Sequence, residues 1–258
     1  MSDSIRLLSS RKGHPGMRAR RAPDSGVLAF GVHQIDQTLN GGMQRDGLHE
    51  FYAMDHRDRG AVLALPILLA MQVCHPAKPL IWLRGGDGGP SLQPYGPGLA
   101  MLGINPDAVM LIQLRRNQDV LWAGVESLRH GGFGAVLLEM GGRAPQFDLT
   151  ASRRLALAAR GSATPALVLR SGGGAQPVPS AAHTRWKVQA ANSVPLAANA
   201  PGHPAFDLHL LRQRGGQDGL HLQLEWDCEQ AGFRAPLSGG TSAVPSGSAA
   251  DQIGRRAA

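Results

Sequence analysis

One short loop of the chain has the position of a phosphate-binding site but not its residues. It spans residues 54–60, between an apolar run that predicts a strand and one that predicts a helix, and it reads Met-Asp-His-Arg-Asp-Arg-Gly. A loop of the type G-x-x-x-x-G-K-[ST] needs glycines so that backbone N–H groups face the phosphates, a lysine for their charge and a hydroxyl for Mg²⁺. None of the three lysines is preceded by Gly and followed by Ser or Thr. The sequence therefore contains no loop of this type.

The charges of this loop also argue against phosphate binding. Asp55 and Asp58 would face the ligand, and at an effective dielectric constant of 20 one pair of like charges 4 Å apart costs ~4 kcal/mol, comparable to a millimolar affinity. Arg57 and Arg59 offset part of this cost, but Gly60 supplies no hydroxyl for a metal ion. We expect a solvent-exposed turn with internally paired charges, and a divergent nucleotide site is the less favoured alternative.

Other catalytic patterns are also missing. The chain has no G-x-S-x-G, H-E-x-x-H or G-x-G-x-x-G motif. His49 and Glu50 predict an ordinary pair on a strand, because no second histidine follows at the spacing of a metal site. Glu139 ends an apolar run, where a Mg²⁺-associated acid would stand, but without a phosphate loop a cap or an ion pair is the favoured role. We therefore predict no catalytic residue, no cofactor and no metal site, and we do not expect an enzyme.

Basic residues are the remaining candidates for a binding surface. Such sets bind nucleic acid or acidic proteins, although a plain solvated face is at least as well supported. Trp186 and Trp226 alternate with polar neighbours and predict core positions rather than base-stacking platforms. The candidate contact residues are Arg115, Arg116, Arg153, Arg154, Arg185, Arg212 and Arg214, with Lys187 in the same set as Arg185.

Charge and composition divide the chain into three parts. Its 258 residues are 43% hydrophobic and 17% charged, which predicts a folded centre. Residues 1–30 carry six basic and two acidic side chains, including the run from Arg6 to Arg21, and the other 228 residues contribute only +3 of the net +7. We predict a basic flexible arm over 1–30, an α/β domain over 31–234 and a disordered tail rich in Gly, Ser, Ala and Pro over 235–258.

The compartment follows from cysteine usage and apolar runs. Cys74 and Cys228 lack the spacing of a disulfide framework or a zinc ribbon. The longest apolar run, 61–71, contains Pro66 and is far shorter than the ~18 residues of a membrane span. No signal peptide is recognisable. We expect a cytoplasmic protein without membrane contact.

The candidate site residues must be positioned by predicted strands and helices, which alternate along the chain. This alternation predicts a mostly parallel sheet flanked by helices, with Pro66 kinking or breaking its helix and Asn117 capping another. Beyond residue 171, segments 183–190, 206–214 and 219–227 alternate more strictly and predict antiparallel additions at one sheet edge. The predicted strands are 47–53, 79–84, 109–114, 134–140 and 165–170, and the predicted helices are 59–74, 95–103, 117–130 and 148–160.

This order of elements resembles the core of the RecA-type recombinases, from GVHQIDQTLNGGMQRDGLHEFYA to the strand that ends at residue 170. Five motifs are more specifically similar to the ImuA proteins of bacterial mutagenesis cassettes, and the likeness covers residues 31 to about 233. These motifs are DVLWAGVESLR, LTASRRL, PSAAHTRWKV, LLRQRGG and LEWD.

The resemblance implies a RecA-like, SulA-related accessory protein of damage-induced mutagenesis. Such a protein acts in translesion synthesis with ImuB, a catalytically inactive relative of the Y-family polymerases, and with an error-prone DnaE-type polymerase. RecA is a further expected partner, and direct DNA contact is left open. Asp58, Arg59 and Gly60 stand where the recombinases have Gly, Lys and Thr, and their catalytic Glu falls near Arg84, so the ATP site does not carry over. The alternatives are a SulA-like inhibitor of the division protein FtsZ and a divergent RecA-like ATPase.

Overall fold

The computed structural model describes residues 4–7, 26–53, 55–86, 94–142, 144–170, 177–196, 198 and 200–236, and for 4–7 it describes the backbone alone. Most of the predicted basic arm, and all but two residues of the predicted tail, lie outside these ranges. The Phe30 ring, at the end of the segment predicted to be a flexible arm, packs 5.6 Å from the Trp186 ring in the core. The last strand ends at Arg234, where the sequence places the end of the domain.

A ten-stranded sheet forms the centre of the fold, in the order β1-β6-β5-β7-β8-β4-β9-β10-β11-β12, and β2 and β3 form a separate pair. The six strands from β6 to β9 in this order are parallel. The strands are β1 Ser4–Leu7, β2 Val27–Leu28, β3 Met43–Gln44, β4 Leu48–Ala53, β5 Leu80–Gly85, β6 Val109–Leu114, β7 Ala135–Met140, β8 Ala166–Arg170, β9 Thr184–Ala190, β10 Ala205–Gln213, β11 His221–Asp227 and β12 Gly232–Arg234.

Helices cover both faces of the parallel strands. Successive side chains of a strand point to opposite faces, so each central strand contributes to two separate hydrophobic clusters. One cluster joins α2 to Phe51 and Leu137, and the other joins α4 and α5 to Leu48 and Leu138. The helices are α1 His33–Thr38, α2 Arg59–Ala70, α3 Gly96–Met101, α4 Asn117–His130 and α5 Leu149–Ser162, with short 3₁₀ turns at His56–Asp58 and Pro106–Ala108.

The predicted architecture is confirmed: a mostly parallel sheet, flanked by helices, with antiparallel strands added. Two parts of the expectation are wrong. β9 was expected to be antiparallel but runs parallel to β4, and only β10, β11 and β12 continue the sheet in antiparallel fashion at that edge. A further antiparallel strand, β1, pairs with β6 at the opposite edge, within the segment expected to be a flexible arm.

Pro66 was expected to kink or break its helix, and α2 is not broken there but continues through Pro66 to Ala70. The expected cap of α4 is wrong. Asn117 does not cap α4, because Arg116 holds the N-cap position without a capping side chain. The Asn117 amide is buried instead and donates to the carbonyl of Gly141 at 3.0 Å, which ties α4 to the loop after β7. Within the described ranges, no helix has the length and apolar character needed to cross a bilayer.

Candidate functional site

The loop after β4 is a compact turn held by its own aspartates. Asp55 and Asp58 form a reciprocal capping box around the 3₁₀ turn, and the Asp58 side chain also accepts from the backbone N–H of Ala190 at 3.0 Å. Asp58 is thereby buried and joins the start of α2 to the end of β9. The paired charges agree with the sequence expectation, but the turn is less exposed than expected. Arg59 and Gly60 form the first residues of α2.

The backbone amides of this loop are directed inward. The N–H of Arg57 donates to Asp55 Oδ1 at 2.9 Å, and that of Asp58 donates to the carbonyl of Asp55 at 3.1 Å. The N–H of Asp55 donates to Asp58 Oδ2 at 3.3 Å. A phosphate loop works by pointing such groups at its ligand, and here three of them are already used within the turn.

The strand-end acid Glu139 is paired. Its Oε2 accepts from Arg84 Nε at 2.6 Å and from the Trp82 indole at 2.9 Å, and the Arg84 guanidinium lies 4.4 Å from the centre of the Trp82 ring. The side chains of Arg84 and Glu139 are only 3% and 10% exposed. The sequence expectation that Glu139 forms an ion pair is confirmed. We call residues 55–60 together with Trp82, Arg84 and Glu139 the strand-end region.

A second buried polar cluster lies on the face of β4 that is turned away from α2. Glu50 accepts from Tyr52 and Ser180, and Arg185 approaches it at 3.5 Å. Burial raises the pKa of Glu50 and, together with the charge of Glu50, that of Tyr52. Arg185 also donates to the carbonyl of Val178 and to Ser180. Arg185 was expected at a binding surface, but it is buried, because its position on β9 faces this cluster.

A cleft of about 480 Å³ opens beside α5 and contains three of the arginines that the sequence placed at a surface. Its lining includes four arginines and one aspartate, a formal charge of +3. We call it the basic cleft. Its lining residues are Asp46, Gly47, Leu48, Leu149, Arg153, Ala156, Leu157, Arg160, Ser180, Ala181, Ala182, His183, Arg212 and Arg214.

Two elements present the arginines. On α5, residues 149, 153, 157 and 160 recur at steps of four, four and three and so lie on one helix face. Asp148 fixes the start of this helix by accepting from the N–H of Ala151 at 2.7 Å. Arg212 and Arg214 lie two residues apart at the end of β10, with Gln213 buried between them, and the N–H of Arg214 donates to the carbonyl of His183 at 2.8 Å.

The arginines of the basic cleft form no ion pair within the described part of the chain. None of its four arginines has a carboxylate within 4.0 Å there. Partial burial and then the charge of Arg214 lower the pKa of His183, and Arg160 acts in the same direction. The ring is therefore neutral at pH 7, and the arginines carry the positive potential.

The cleft also exposes apolar surface. Leu157 is 70% and Leu149 37% exposed, and both are part of the lining. No Phe, Tyr or Trp is among the lining residues that the structure describes. Single-stranded nucleic acid is usually bound by stacking bases on aromatic rings, whereas cations beside exposed leucines suit an acidic segment that carries apolar side chains.

The structure brings some of the sequence candidates together and separates others. Arg153, Arg212 and Arg214 converge in the cleft, and Arg154 is exposed on α5 outside its lining. Arg115 and Arg116 follow β6, four strands away from β4 in the sheet, where Arg116 pairs with Asp119 at 2.7 Å. Sequence reasoning missed Arg160, although the seven-residue spacing from Arg153, two helical turns, was available.

Comparisons with known proteins identify the fold. No protein-family model matches the sequence, and no curated protein matches it. Among solved structures, the crystal structure of the RadB recombinase superposes with a TM-score of 0.51 at 15% identity, covering 81% of this chain and 99% of the RadB chain. RadB is a RecA-family recombinase. The chain therefore has the RecA-like fold that its order of strands and helices predicts.

Proposed function

We propose that this protein is a RecA-like accessory factor of damage-induced mutagenesis that binds other proteins through the basic cleft and does not turn over nucleotide. Its partner in this proposal is the ImuB-type inactive polymerase, which it helps to place, with an error-prone DnaE-type polymerase, at DNA lesions. RecA is a second partner to test. The similarity to the ImuA proteins supports the pathway, and the RecA-like fold supports the scaffold.

The observation that carries the proposal is the position of the motifs. Three of the five segments that resemble ImuA line the basic cleft. LTASRRL contributes Leu149 and Arg153, PSAAHTRWKV contributes residues 180–183, and LLRQRGG contributes Arg212 and Arg214. These segments are distant in sequence and meet only in the fold. Within the described chain, three segments that carry the resemblance therefore also line the basic cleft and contribute three of its four arginines.

The strand-end region supports the absence of nucleotide chemistry. Phosphate and Mg²⁺ would need free amide hydrogens and a free carboxylate at the ends of β4 and β7. Three of the loop amides donate inside the turn, and Glu139 accepts from Arg84 and Trp82. To bind nucleotide there, the protein would have to break a buried ion pair and unfold a capping box.

A protein partner suits the basic cleft better than DNA does. The cleft has room for a few side chains, and it pairs four cations with two exposed leucines and no described aromatic ring. An acidic segment with apolar anchors would use both features. Electrostatic association of this kind weakens with salt, because exposed charges are screened over about 8–10 Å at ionic strengths of 0.1–0.15 M.

The experiment measures binding of purified ImuB, RecA and FtsZ to the full chain. The double variant Arg153→Glu, Arg212→Glu reverses two cleft charges, and Arg154→Glu is the matched control, since Arg154 is exposed on the same helix outside the cleft. We expect ImuB binding to weaken at least about tenfold in the double variant, equivalent to about 1.4 kcal/mol, and to be unchanged in the control.

Three outcomes would overturn the proposal. The first is no binding of ImuB or RecA at micromolar concentration, and binding of FtsZ alone would favour the SulA-like alternative. The second is equal weakening by the cleft and control variants. The third is stabilisation by ATP with Mg²⁺, since a ligand at 100 times its Kd adds ~2.7 kcal/mol to the free energy of unfolding. Such a shift would favour a divergent ATPase.

A further inference from the structure

Three potential metal ligands meet on the outer face of the antiparallel strands. His209 on β10 lies directly opposite His221 on β11, and Asp207, two residues before His209, shares the same face. They are separated by up to 14 positions in sequence and have no recognisable metal-site spacing there. The antiparallel register alone brings them together. None of the three lines the basic cleft.

The ligand atoms converge on one point. Asp207 Oδ1 lies 2.8 Å from His221 Nε2 and 3.3 Å from His209 Nε2, and the three ligand atoms all lie within 4.8 Å of one another. The two imidazole rings are stacked, with centroids 3.6 Å apart. Two ring nitrogens and one carboxylate oxygen thus surround a small volume at the surface.

We propose that Asp207, His209 and His221 bind a divalent transition-metal ion, with Zn²⁺ as the reference ion. Zinc takes imidazole nitrogen and carboxylate oxygen at about 2.0–2.2 Å, so two ligand atoms of a tetrahedral site lie about 3.3 Å apart. The distance from Asp207 Oδ1 to His209 Nε2 already has this value. The distance from Asp207 Oδ1 to His221 Nε2 must increase by about half an ångström. With three protein ligands, the fourth position is left to water or to a group from a partner. The inference is independent of the function proposed above.

Binding requires a small local rearrangement. A nitrogen lone pair lies in the plane of its ring, so the two stacked rings must turn for both to point at one ion. Each histidine side chain is 33% exposed and Asp207 is 21% exposed, which leaves the solvent side open for this movement. Lys187 faces His209 from β9, and its positive charge opposes that of the ion. We therefore expect affinity in the micromolar range.

The test uses the untagged full chain, first treated with a chelator. Titration with Zn²⁺ in a calorimeter should show one saturable equivalent, and Co²⁺ should give the visible absorption bands of a four-coordinate site. His209→Ala and His221→Ala should each weaken Zn²⁺ binding by at least the roughly tenfold to hundredfold loss that removal of an outer-shell partner causes. His56→Ala is the matched control, because His56 lies 2.9 Å from Asp55 in an exposed pair that has no third ligand among the described residues.

A second measurement needs no variant. Nitrogen NMR of the unmodified protein should show the Nε2 signals of His209 and His221 shifting together as Zn²⁺ is added, and Mg²⁺, which prefers oxygen ligands, should not reproduce the shift. Unshifted Nε2 signals, or equal Zn²⁺ affinity in the His209→Ala and His56→Ala variants, would overturn the site.

Discussion

The strand-end region and the basic cleft are both rich in charged residues. The charges are paired with one another at the strand ends, whereas the arginines of the cleft form no ion pair in the described chain. At the strand ends, Glu139 pairs with Arg84, and Asp55 and Asp58 close a capping box. In the cleft, four arginines face solvent with no carboxylate within 4.0 Å in the described chain. Charges that are paired inside a protein mainly hold its structure, whereas charges left unpaired at a concave surface are available to a partner.

The largest effect on stability is expected from the buried ion pair. Glu139→Gln leaves the Arg84 guanidinium charged and buried, and loss of one partner of such a pair costs about 3–5 kcal/mol. Urea denaturation would measure this loss. The double variant Arg84→Met, Glu139→Leu removes both charges and should recover much of the stability. If Glu139→Gln costs less than about 1 kcal/mol, the pair does not hold the strand-end region as described.

A pH effect is expected beneath the cleft, where the buried ring of His49 lies 6.0 Å from that of His183. Its Nε2 donates to the carbonyl of Gln44, and its Nδ1 accepts from Thr184. Burial lowers the pKa of His49 from 6.5 to about 4. The unfolded chain therefore takes up this proton first as pH falls.

The sign of that effect follows from linkage. The neutral His49 ring contributes roughly 3 kcal/mol to the free energy of unfolding. This contribution is fully present above pH 6.5 and is lost as the pH falls to about 4. Unfolding free energies measured across this range should fall less steeply in His49→Gln than in the unmodified protein. Parallel curves would contradict the assignment of a neutral buried ring.

A smaller loss is expected at the turn after β4. Asp58→Ala removes the acceptor for the backbone N–H groups of Asp55 and Ala190, and loss of such a helix-capping side chain costs about 0.5–2 kcal/mol. Asp58→Asn keeps one acceptor oxygen and should cost less. Thermal unfolding would compare the two variants. A more stable Asp58→Ala protein would indicate that repulsion between the two aspartates outweighs their capping.

The smallest effect on stability is expected in the basic cleft. Arg153→Gln with Arg212→Gln removes two exposed charges without breaking an ion pair within the described chain, and such surface changes are usually within about 0.5 kcal/mol. Relief of like-charge repulsion favours a slight gain. Denaturation of this variant beside Glu139→Gln tests the contrast directly. A loss of several kcal/mol would show that the cleft arginines are structural.

The sequence predicted most elements because their local signals are strong. α4 begins and ends where its apolar periodicity predicts, and β7 coincides with the predicted buried apolar run. The direction of β9 could not be predicted, because strict alternation describes one buried face and contains no information about which neighbour a strand pairs with. β1 was missed since four residues in a basic segment carry no recognisable pattern.

The same limit applies to the candidate site. Arg153, Arg212 and Arg214 could be named as basic residues, but their common cleft depends on how α5 packs beside the end of β10. Arg185 has the same charge in the sequence, yet it is buried beside Glu50. Residue type gave the charge, and only packing distinguished an exposed arginine from a buried one.

By itself, the sequence determined the RecA-like order of elements and the absence of a phosphate-loop motif, because both depend on residue types at short spacing. Only the tertiary structure decided that Arg84 neutralises Glu139, that four arginines share one cleft, and that Asp207, His209 and His221 converge. Those relationships join residues that are distant in sequence, and sheet register and helix packing set their separations in space.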